Sequence, residues 1–351
     1  MKKIVLTGGG TAGHVTPNLA LVDTLRANGF TVEYIGTRKG IEFELVKRTS
    51  IPMHCISAGK LRRYLDFKNV TDLFKIMLGF LQSFVLLLKI NPDVVFSKGG
   101  FVSCPVVWAA WLLRKPVVIH ESDMTPGLAN KLSLPFAKKI CFSFRETEKH
   151  LAQSKRVLTG IPIRKELFRG DVSEGRRLCG FTDNKPVVMI IGGSQGSQVV
   201  NTAIRESLSI LLDEFNVCHL CGRGNLGDDR AGYKQFEYVN EELPHLFVMA
   251  DVVVSRSGAT TLFELLALRK PSLLIPLASN ASRGDQILNA ESFEKQGYSK
   301  VLHQDDLSSE ALISALSATF NDRSKMIDAM NESNITDGID AVVSVIKSVT
   351  K

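Results

Sequence analysis

Short apolar runs rich in β-branched residues recur along the chain, separated by longer segments with apolar residues at helical spacing. In the first half the runs are KIVLT from Lys3, TVEYIG from Thr31, PDVVFS from Pro92, PVVIHES from Pro116 and KKICFS from Lys138. Such runs, a few residues long and bounded by turn-forming residues, predict buried strands; the helical segments between them predict βαβ units and a parallel sheet. Gly160-Ile161-Pro162 reads as a hinge, after which the pattern restarts with KPVVMII from Lys185, VCHLCG from Val217, KQFEYV, DVVVSRSG from Asp251 and PSLLIPL from Pro271. The prediction is an α/β chain of two tandem Rossmann-like, doubly wound domains, residues 1–161 and 162–336. Ligands are then expected at the carboxyl ends of the strands, in the cleft between the domains. The last segment, DGIDAVVSVIKSVT, residues about 337–351, has helical spacing and reads as a helix packing back on the first domain.

One stretch breaks the alternation. DLFKIMLGFLQSFVLLLK, residues 72–89, is apolar on nearly every side, and Lys60, Arg62, Arg63 and Lys68 stand just upstream. The run between Lys75 and Lys89 is shorter than the roughly 20 residues a bilayer requires, so it reads as a poor spanning helix. A buried packing helix and a helix adsorbed at a membrane surface both remain open. Trp108 and Trp111, in VVWAAWLL, fit either a core or an amphipathic aromatic surface.

Composition narrows the class. With 351 residues, 44% hydrophobic and 23% charged, the chain can build two cores and is neither disordered nor fibrous. Six cysteines in apolar contexts point to reduced, buried thiols, and no apolar leader precedes the first strand, so the expected compartment is the cytoplasm. The formal charge of +7 is uneven: residues 1–160 hold 23 Lys and Arg against 11 Asp and Glu, the remainder 20 against 25. A basic first half suits nucleic acid or an anionic membrane surface, or is simply a solvated face.

The chemistry sits in glycine-rich turns. Gly8-Gly9-Gly10 follows the first run, Gly99-Gly100 follows PDVVFS, and Gly192-Gly193-Ser194-Gln195-Gly196 opens the second half. Glycine there allows positive φ and lets a ligand approach backbone amides at a helix start. Gly8-x-Gly10-x-x-Gly13 also matches the dinucleotide fingerprint, with Glu33 as the ribose carboxylate, so an NAD-binding oxidoreductase is one reading. A ligand shared between glycine turns of two domains is the other. No Gly-Lys-Ser/Thr follows, which excludes a Walker loop. His14, at the expected first helical turn, suits a proton acceptor or a phosphate ligand, against a structural histidine. His120-Glu121-Ser122-Asp123 places polar groups at another strand end. His219 reads as buried and structural, and Cys218-His219-Leu220-Cys221 is too small a set for zinc. In SRSGATTLFE, Gly258 frees a turn, Thr260 or Thr261 can cap, and Glu264 can accept from two ribose hydroxyls or merely favour the helix dipole. Asp285, Gln286 and Asn289 are of the kind that recognise sugar hydroxyls.

Together GGGTAGHVTPNLA, SKGGFVSCPVVWAA, IHESDMTPGLANK, GIPIR, IGGSQGSQVVN, SRSGATTLFE and GDQILNA resemble the MurG family, nearly end to end, and most closely its low-GC Gram-positive members. The resemblance implies a GT-B fold and inverting transfer of N-acetylglucosamine from its UDP donor to the 4-hydroxyl of undecaprenyl-pyrophosphoryl-muramyl-pentapeptide, the step from lipid I to lipid II. It implies that the first domain takes the lipid-linked acceptor and the second the nucleotide sugar. Thr11, Ala12, Gly13, Arg164, Ser194, Gln195 and Gln286 correspond to donor-contacting positions; Val239 and the run Ala259, Thr260, Thr261, Leu262, Phe263 and Glu264 would surround uracil and ribose. Asp123 and Asp285 depart from the family pattern, which has amides there; a carboxylate cannot donate as an amide does. Other UDP-sugar enzymes of this fold, such as an epimerase or another lipid glycosyltransferase, and a non-enzymatic scaffold with an inactive site are the alternatives. No cofactor or metal is expected. His14 is the candidate base, with Glu121 and Asp123 as rivals. Arg62, Arg63 and Lys68, with residues 60–89, form the expected docking face on the cytoplasmic side of the membrane. Other cell-wall synthesis proteins are conceivable partners.

Overall fold

The computed structural model describes the chain except residues 60–67, 194–195, 229, 279–283, 334–336 and 351, with backbone alone at 68–70. Arg62 and Arg63, Ser194 and Gln195, and the side chain of Lys68 therefore lie outside the described residues. The chain divides into two compact units: Met1–Arg164 with Asp337–Lys351, and Lys165–Thr336. The division falls after Arg164, three residues beyond the expected 161/162. Ile161 and Ile163 are fully buried, and Arg164 groups with the first unit.

The first unit is built on a seven-stranded sheet in the order β3-β2-β1-β4-β5-β6-β7. Its strands are β1 (Lys2–Thr7), β2 (Phe30–Gly36), β3 (Met53–Cys55), β4 (Val94–Ser97), β5 (Val117–Glu121), β6 (Lys139–Phe142) and β7 (Arg156–Leu158). The second has six strands in the order β10-β9-β8-β11-β12-β13: β8 (Val187–Ile191), β9 (Asn216–Leu220), β10 (Tyr233–Phe236), β11 (Val252–Ser255), β12 (Ser272–Leu274) and β13 (Ser299–Val301). All the strand pairings within both sheets are parallel. Helices cover both faces, so successive side chains bury into two different cores. Ile4, Leu6 and Phe96 pack on one face of the first sheet, Val5, Val95 and Ile119 on the other. This is why the strands read as unbroken apolar runs rather than alternating ones.

The terminal helix Ile339–Val349 belongs to the first unit. Ile339, Val342, Val343, Val345 and Ile346 enter the core beside Ile4 and Phe30. Gly338 N donates to Ile161 O (3.0 Å) and Ile163 N to Asp337 Oδ1 (3.2 Å), which fasten the returning chain.

The ambiguous apolar stretch forms the helix Lys68–Ile90. Its segment Thr71–Ile90 is long and apolar enough to cross a membrane by length and composition alone, a test that the core helix of a globular protein also passes. In the fold, however, Asp72, Ile76, Gly79, Ser83, Leu87 and Ile90 face inward at three- and four-residue steps. Gly79 lacks a β-carbon where one would run into the Ser57 carbonyl, and Ser57 N donates to Gln82 Oε1 (2.7 Å). The helix is thus bound along one stripe. A second stripe, Leu73, Phe74, Met77, Leu78, Leu81, Val85 and Leu88, is exposed. Trp108 is half-buried and donates from Nε1 to Leu132 O (3.2 Å), whereas Trp111 is exposed and rests edge-on against Phe136.

Candidate active site

At the carboxyl ends of β8, β11 and β12 the second unit holds a cavity of about 500 Å³. Gly192, Gly193 and Gly196 form one wall, Arg256, Gly258 and Thr261 another, with Leu277, Gln286 and Gln304 closing it. Gly196 has φ of +75°, and a β-carbon there would strike the Cys221 carbonyl, so only glycine lets the turn pass β9. The turn runs into the helix Gln198–Glu206, capped by Ser197, whose Oγ accepts from Val200 N (3.4 Å). Gly258 caps the helix Ala259–Ala267, and no side chain caps it; Thr260 and Thr261 do not take the expected capping role. The helix starts where Thr261 lines the cavity.

Arg256 is the central cation of this wall, and the sequence reading missed it. Nη1 donates to Ile275 O (2.9 Å) and Pro276 O (3.1 Å); Nη2 donates to Ser197 Oγ (2.7 Å) and Gln304 Oε1 (2.8 Å). One planar guanidinium thus ties the end of β12, the cap of the first helix and the turn after β13 into one surface, and burial lowers its pKa. Its place between a strand end and a glycine cap was visible in SRSG; nothing local marked Gln304. Gln286 Oε1 accepts from Leu277 N (3.2 Å), and its carbonyl accepts from Ser257 Oγ (2.7 Å), which holds it in the wall.

The other predicted donor positions separate. Ala259, Leu262 and Phe263 are buried, Phe263 edge-on against Phe293 at 5.7 Å, so their side chains serve the core. Glu264 is nearly buried on the same helix, Val239 is buried after β10, and Asp285 is buried at the start of the helix Asp285–Lys295. None of these three lines the cavity. His219 is a structural histidine as expected: Nδ1 meets Tyr233 Oη at 2.9 Å and Nε2 meets Asn201 Oδ1 at 3.0 Å, and burial drops its pKa to about 3.

In the first unit the loop after β1 leads not into a helix but into a 3-10 turn, Ala12–His14, followed by the short helix Thr16–Ala20. Gly100, with φ of +84°, packs against the Gly9 carbonyl where a β-carbon would collide, and Gly9 N donates to Gly99 O (3.3 Å), so the two glycine turns of this unit are joined. His14 Nδ1 lies 3.1 Å from Gly9 O and 3.1 Å from Thr11 Oγ1. A carbonyl only accepts, so Nδ1 carries the proton and Nε2 is the basic nitrogen. Thr11 is exposed, and Ala12 and Gly13 are partly so.

The ends of β4 and β5 carry buried charge. Lys98 donates from Nζ to Ser122 Oγ, and burial lowers its pKa to about 8. Glu121 accepts from Asp123 N (3.0 Å), Gly127 N (3.1 Å) and Asn130 Nδ2 (2.7 Å). Burial, with Asp123 nearby, raises its pKa to about 7. Glu121 is thereby occupied in building the 121–127 loop, while Asp123 lies partly exposed on it. Glu33, the ribose carboxylate of the NAD reading, sits in the middle of β2, not at its end, and is 2.7 Å from His54 Nε2. That removes the dinucleotide reading.

Two parallel-sheet Rossmann-like domains with glycine turns at their strand ends make the GT-B architecture. The glycosyltransferase family 28 N-terminal domain matches residues 4–142 and the family 28 C-terminal domain residues 187–343. The chain is 53% identical, over 99% of its length and 98% of the relative's, to the UDP-N-acetylglucosamine–N-acetylmuramyl-(pentapeptide) pyrophosphoryl-undecaprenol N-acetylglucosamine transferase of Clostridium tetani. Against the protein so named from Lachnoclostridium phytofermentans the identity is 54%, over 99% of both. The crystal structure of Acinetobacter baumannii MurG superimposes with a TM-score of 0.78 at 24% identity, covering 99% of this chain and all of that one, a likeness of fold. The chain belongs to the MurG family of glycosyltransferases.

Proposed function

We propose that this chain transfers N-acetylglucosamine from UDP-N-acetylglucosamine to the muramyl 4-hydroxyl of undecaprenyl-pyrophosphoryl-muramyl-pentapeptide, with inversion, in peptidoglycan synthesis. The observation that carries it is the second unit's cavity, a glycine turn and the helix start at Gly258 around a fixed Arg256, in a chain more than half identical to transferases of that name. The second unit takes the nucleotide sugar. Backbone amides of the 192–196 turn and of the helix at Gly258, with Ser194 and Gln195 as further donors, stabilise the departing diphosphate without a metal. Glu264, one helical turn beyond Thr261 of the cavity wall, accepts from ribose hydroxyls that extend past the lined space, where Val239 and the 259–263 backbone border the uracil.

The first unit takes the lipid-linked acceptor, and Nε2 of His14 accepts the proton of the attacking hydroxyl. Full basicity is unnecessary when deprotonation accompanies transfer. The acceptor's polyprenyl chain stays in the bilayer, so the enzyme works as a peripheral protein on the cytoplasmic membrane face, docking by the exposed stripe of the helix Lys68–Ile90 with Trp111 and the basic residues Arg62, Arg63 and Lys68.

The test is incubation with labelled UDP-N-acetylglucosamine and a short-chain lipid I analogue, beside a His14→Ala variant. Disaccharide product is expected from the wild type and at least a hundredfold less from the variant. No product from the wild type overturns the activity; full activity in the variant overturns only the base.

A further inference from the structure

The first glycine turn is not empty. Glu42, on the helix Ile41–Lys47, is 1% exposed, and its carboxylate lies in the crevice at the carboxyl ends of β1 and β2. Gly9, Gly36 and Gly40 surround it so closely that a β-carbon on any of the three would strike the Glu42 side chain. Oε2 accepts from Gly10 N (3.1 Å); Oε1 accepts from Thr37 N (3.2 Å) and Thr37 Oγ1 (2.5 Å). A carboxylate taken out of water needs such donors, and backbone amides at a strand end need an anion; each satisfies the other.

The geometry continues beyond the crevice. Gly10 N–H and Gly9 C=O belong to a single peptide group, and they point in opposite directions across its plane. The N–H donates to Glu42, and the C=O accepts from His14 Nδ1 at 3.1 Å. Hydrogen bonds in such a chain polarise one another, so a carboxylate on the N–H side strengthens the carbonyl as an acceptor. Gly9 N–H, bonded to Gly99 O, fixes the peptide from the other side. A carboxylate joined directly to a histidine orients the ring and sets its tautomer; here one peptide stands between the two.

We propose that Glu42 is an internal anion filling the first unit's nucleotide crevice and, through the Gly9–Gly10 peptide, a positioning residue that holds His14 with Nε2 as its basic nitrogen. The inference rests on His14 being the base of the proposed transfer, so its readouts include one independent of activity. Glu42→Gln keeps the shape but turns an NH2 group, itself a donor, toward a backbone N–H from which the carboxylate accepted. Glu42→Ala leaves a carboxylate-sized vacancy among the same donors.

The full-length protein, labelled with 15N at histidine, is compared with both variants, and the His14 resonances are identified by their loss in His14→Gln. In the wild type His14 is expected to be Nδ1-protonated at pH 8; in Glu42→Gln the Nε2-protonated form should grow to at least a comparable population. Turnover with lipid I analogue should fall 10- to 100-fold, while UDP affinity, a property of the second unit, stays within twofold and reports that the chain is folded. Formate should restore at least fivefold of the turnover lost in Glu42→Ala and none in Glu42→Gln, whose side chain fills the space. An unchanged tautomer in Glu42→Gln, or no formate rescue of Glu42→Ala, overturns the proposal. A shifted tautomer with undiminished turnover upholds the relay and counts instead against His14 as the base.

Discussion

The outward stripe of the helix Lys68–Ile90 permits a quantitative test of membrane docking. Phe74, Met77 and Leu81 are 68%, 58% and 59% exposed and lie within two turns of one another. Full burial of such side chains is worth about 1.5–3 kcal/mol each. Scaled by the fraction each leaves in water, insertion of the three into an acyl boundary contributes about 4 kcal/mol. Replacing all three by Ser should therefore weaken partitioning into phosphatidylglycerol-containing vesicles by close to a thousandfold, at 1.4 kcal/mol per decade. The inward stripe is untouched, so the fold should hold: Ile76, Ser83 and Leu87 keep their places against the first unit. Sedimentation with sucrose-loaded vesicles measures the partition, and UDP affinity checks the fold. A variant that binds UDP normally and sediments as the wild type does would refute the assignment of this face. Arg62, Arg63 and Lys68 changed to Glu should also lower binding, but only to anionic vesicles and less so as salt rises, because their share is electrostatic.

Arg256→Lys replaces a planar fork serving four acceptors with a single ammonium carrying three protons; calorimetry should show UDP affinity reduced 10- to 100-fold, about 2 kcal/mol, and an unchanged affinity would remove Arg256 from the site. Glu264→Gln should cost the enzyme its preference for UDP over 2′-deoxy-UDP; retention of that preference would mean the carboxylate does not meet the ribose. His219 is uncharged in the folded state, with its pKa near 3 against 6.5 in the unfolded chain, so the unfolded chain takes up the extra proton and stability is lost as pH falls from 6.5. Relative to His219→Gln, the wild type should lose about 2–3 kcal/mol between pH 7 and pH 4.5 in denaturant titrations; a constant difference would mean that His219 takes up its proton as readily in the folded chain as in the unfolded one.

The parallel sheets were legible because both of their faces are covered, which writes each long strand as an apolar run with no alternation to confuse it. β3, β7 and β13 were not, being three residues each with an ionisable residue among them, unlike the equally short but fully buried β12. The glycine turns were legible for the same local reason. What filled or lined them was not: Arg256 reaches Gln304 across 48 residues and Glu42 reaches Gly10 across 32, contacts that no spacing rule encodes. The run Ala259 to Glu264 shows the converse limit. Motif resemblance gives a contiguous block, but a helix turns each successive residue by about 100°, so Thr261 meets the cavity while Leu262 and Phe263 enter the core.

The two glycine turns that open the units look equivalent along the chain yet have opposite fates. After β8 the turn borders open space, and its wall is completed by a cation, Arg256, whose bonds all go to neutral oxygens and so leave the charge uncompensated. After β1 the turn is closed around an anion, Glu42, supplied by the chain. A nucleotide diphosphate is attracted to the first arrangement and repelled by the second. The charges thus favour a nucleotide diphosphate at the second unit's cavity over the Glu42 crevice, in line with the proposed place of the nucleotide sugar, and the acceptor's pyrophosphate is expected outside that crevice. Reversing that assignment requires only Glu42→Ala: if the carboxylate is what excludes the nucleotide, the variant should acquire weak, millimolar UDP binding at a second site, visible as a second calorimetric phase. A single phase would mean that the crevice is closed to nucleotides by shape, whatever its charge.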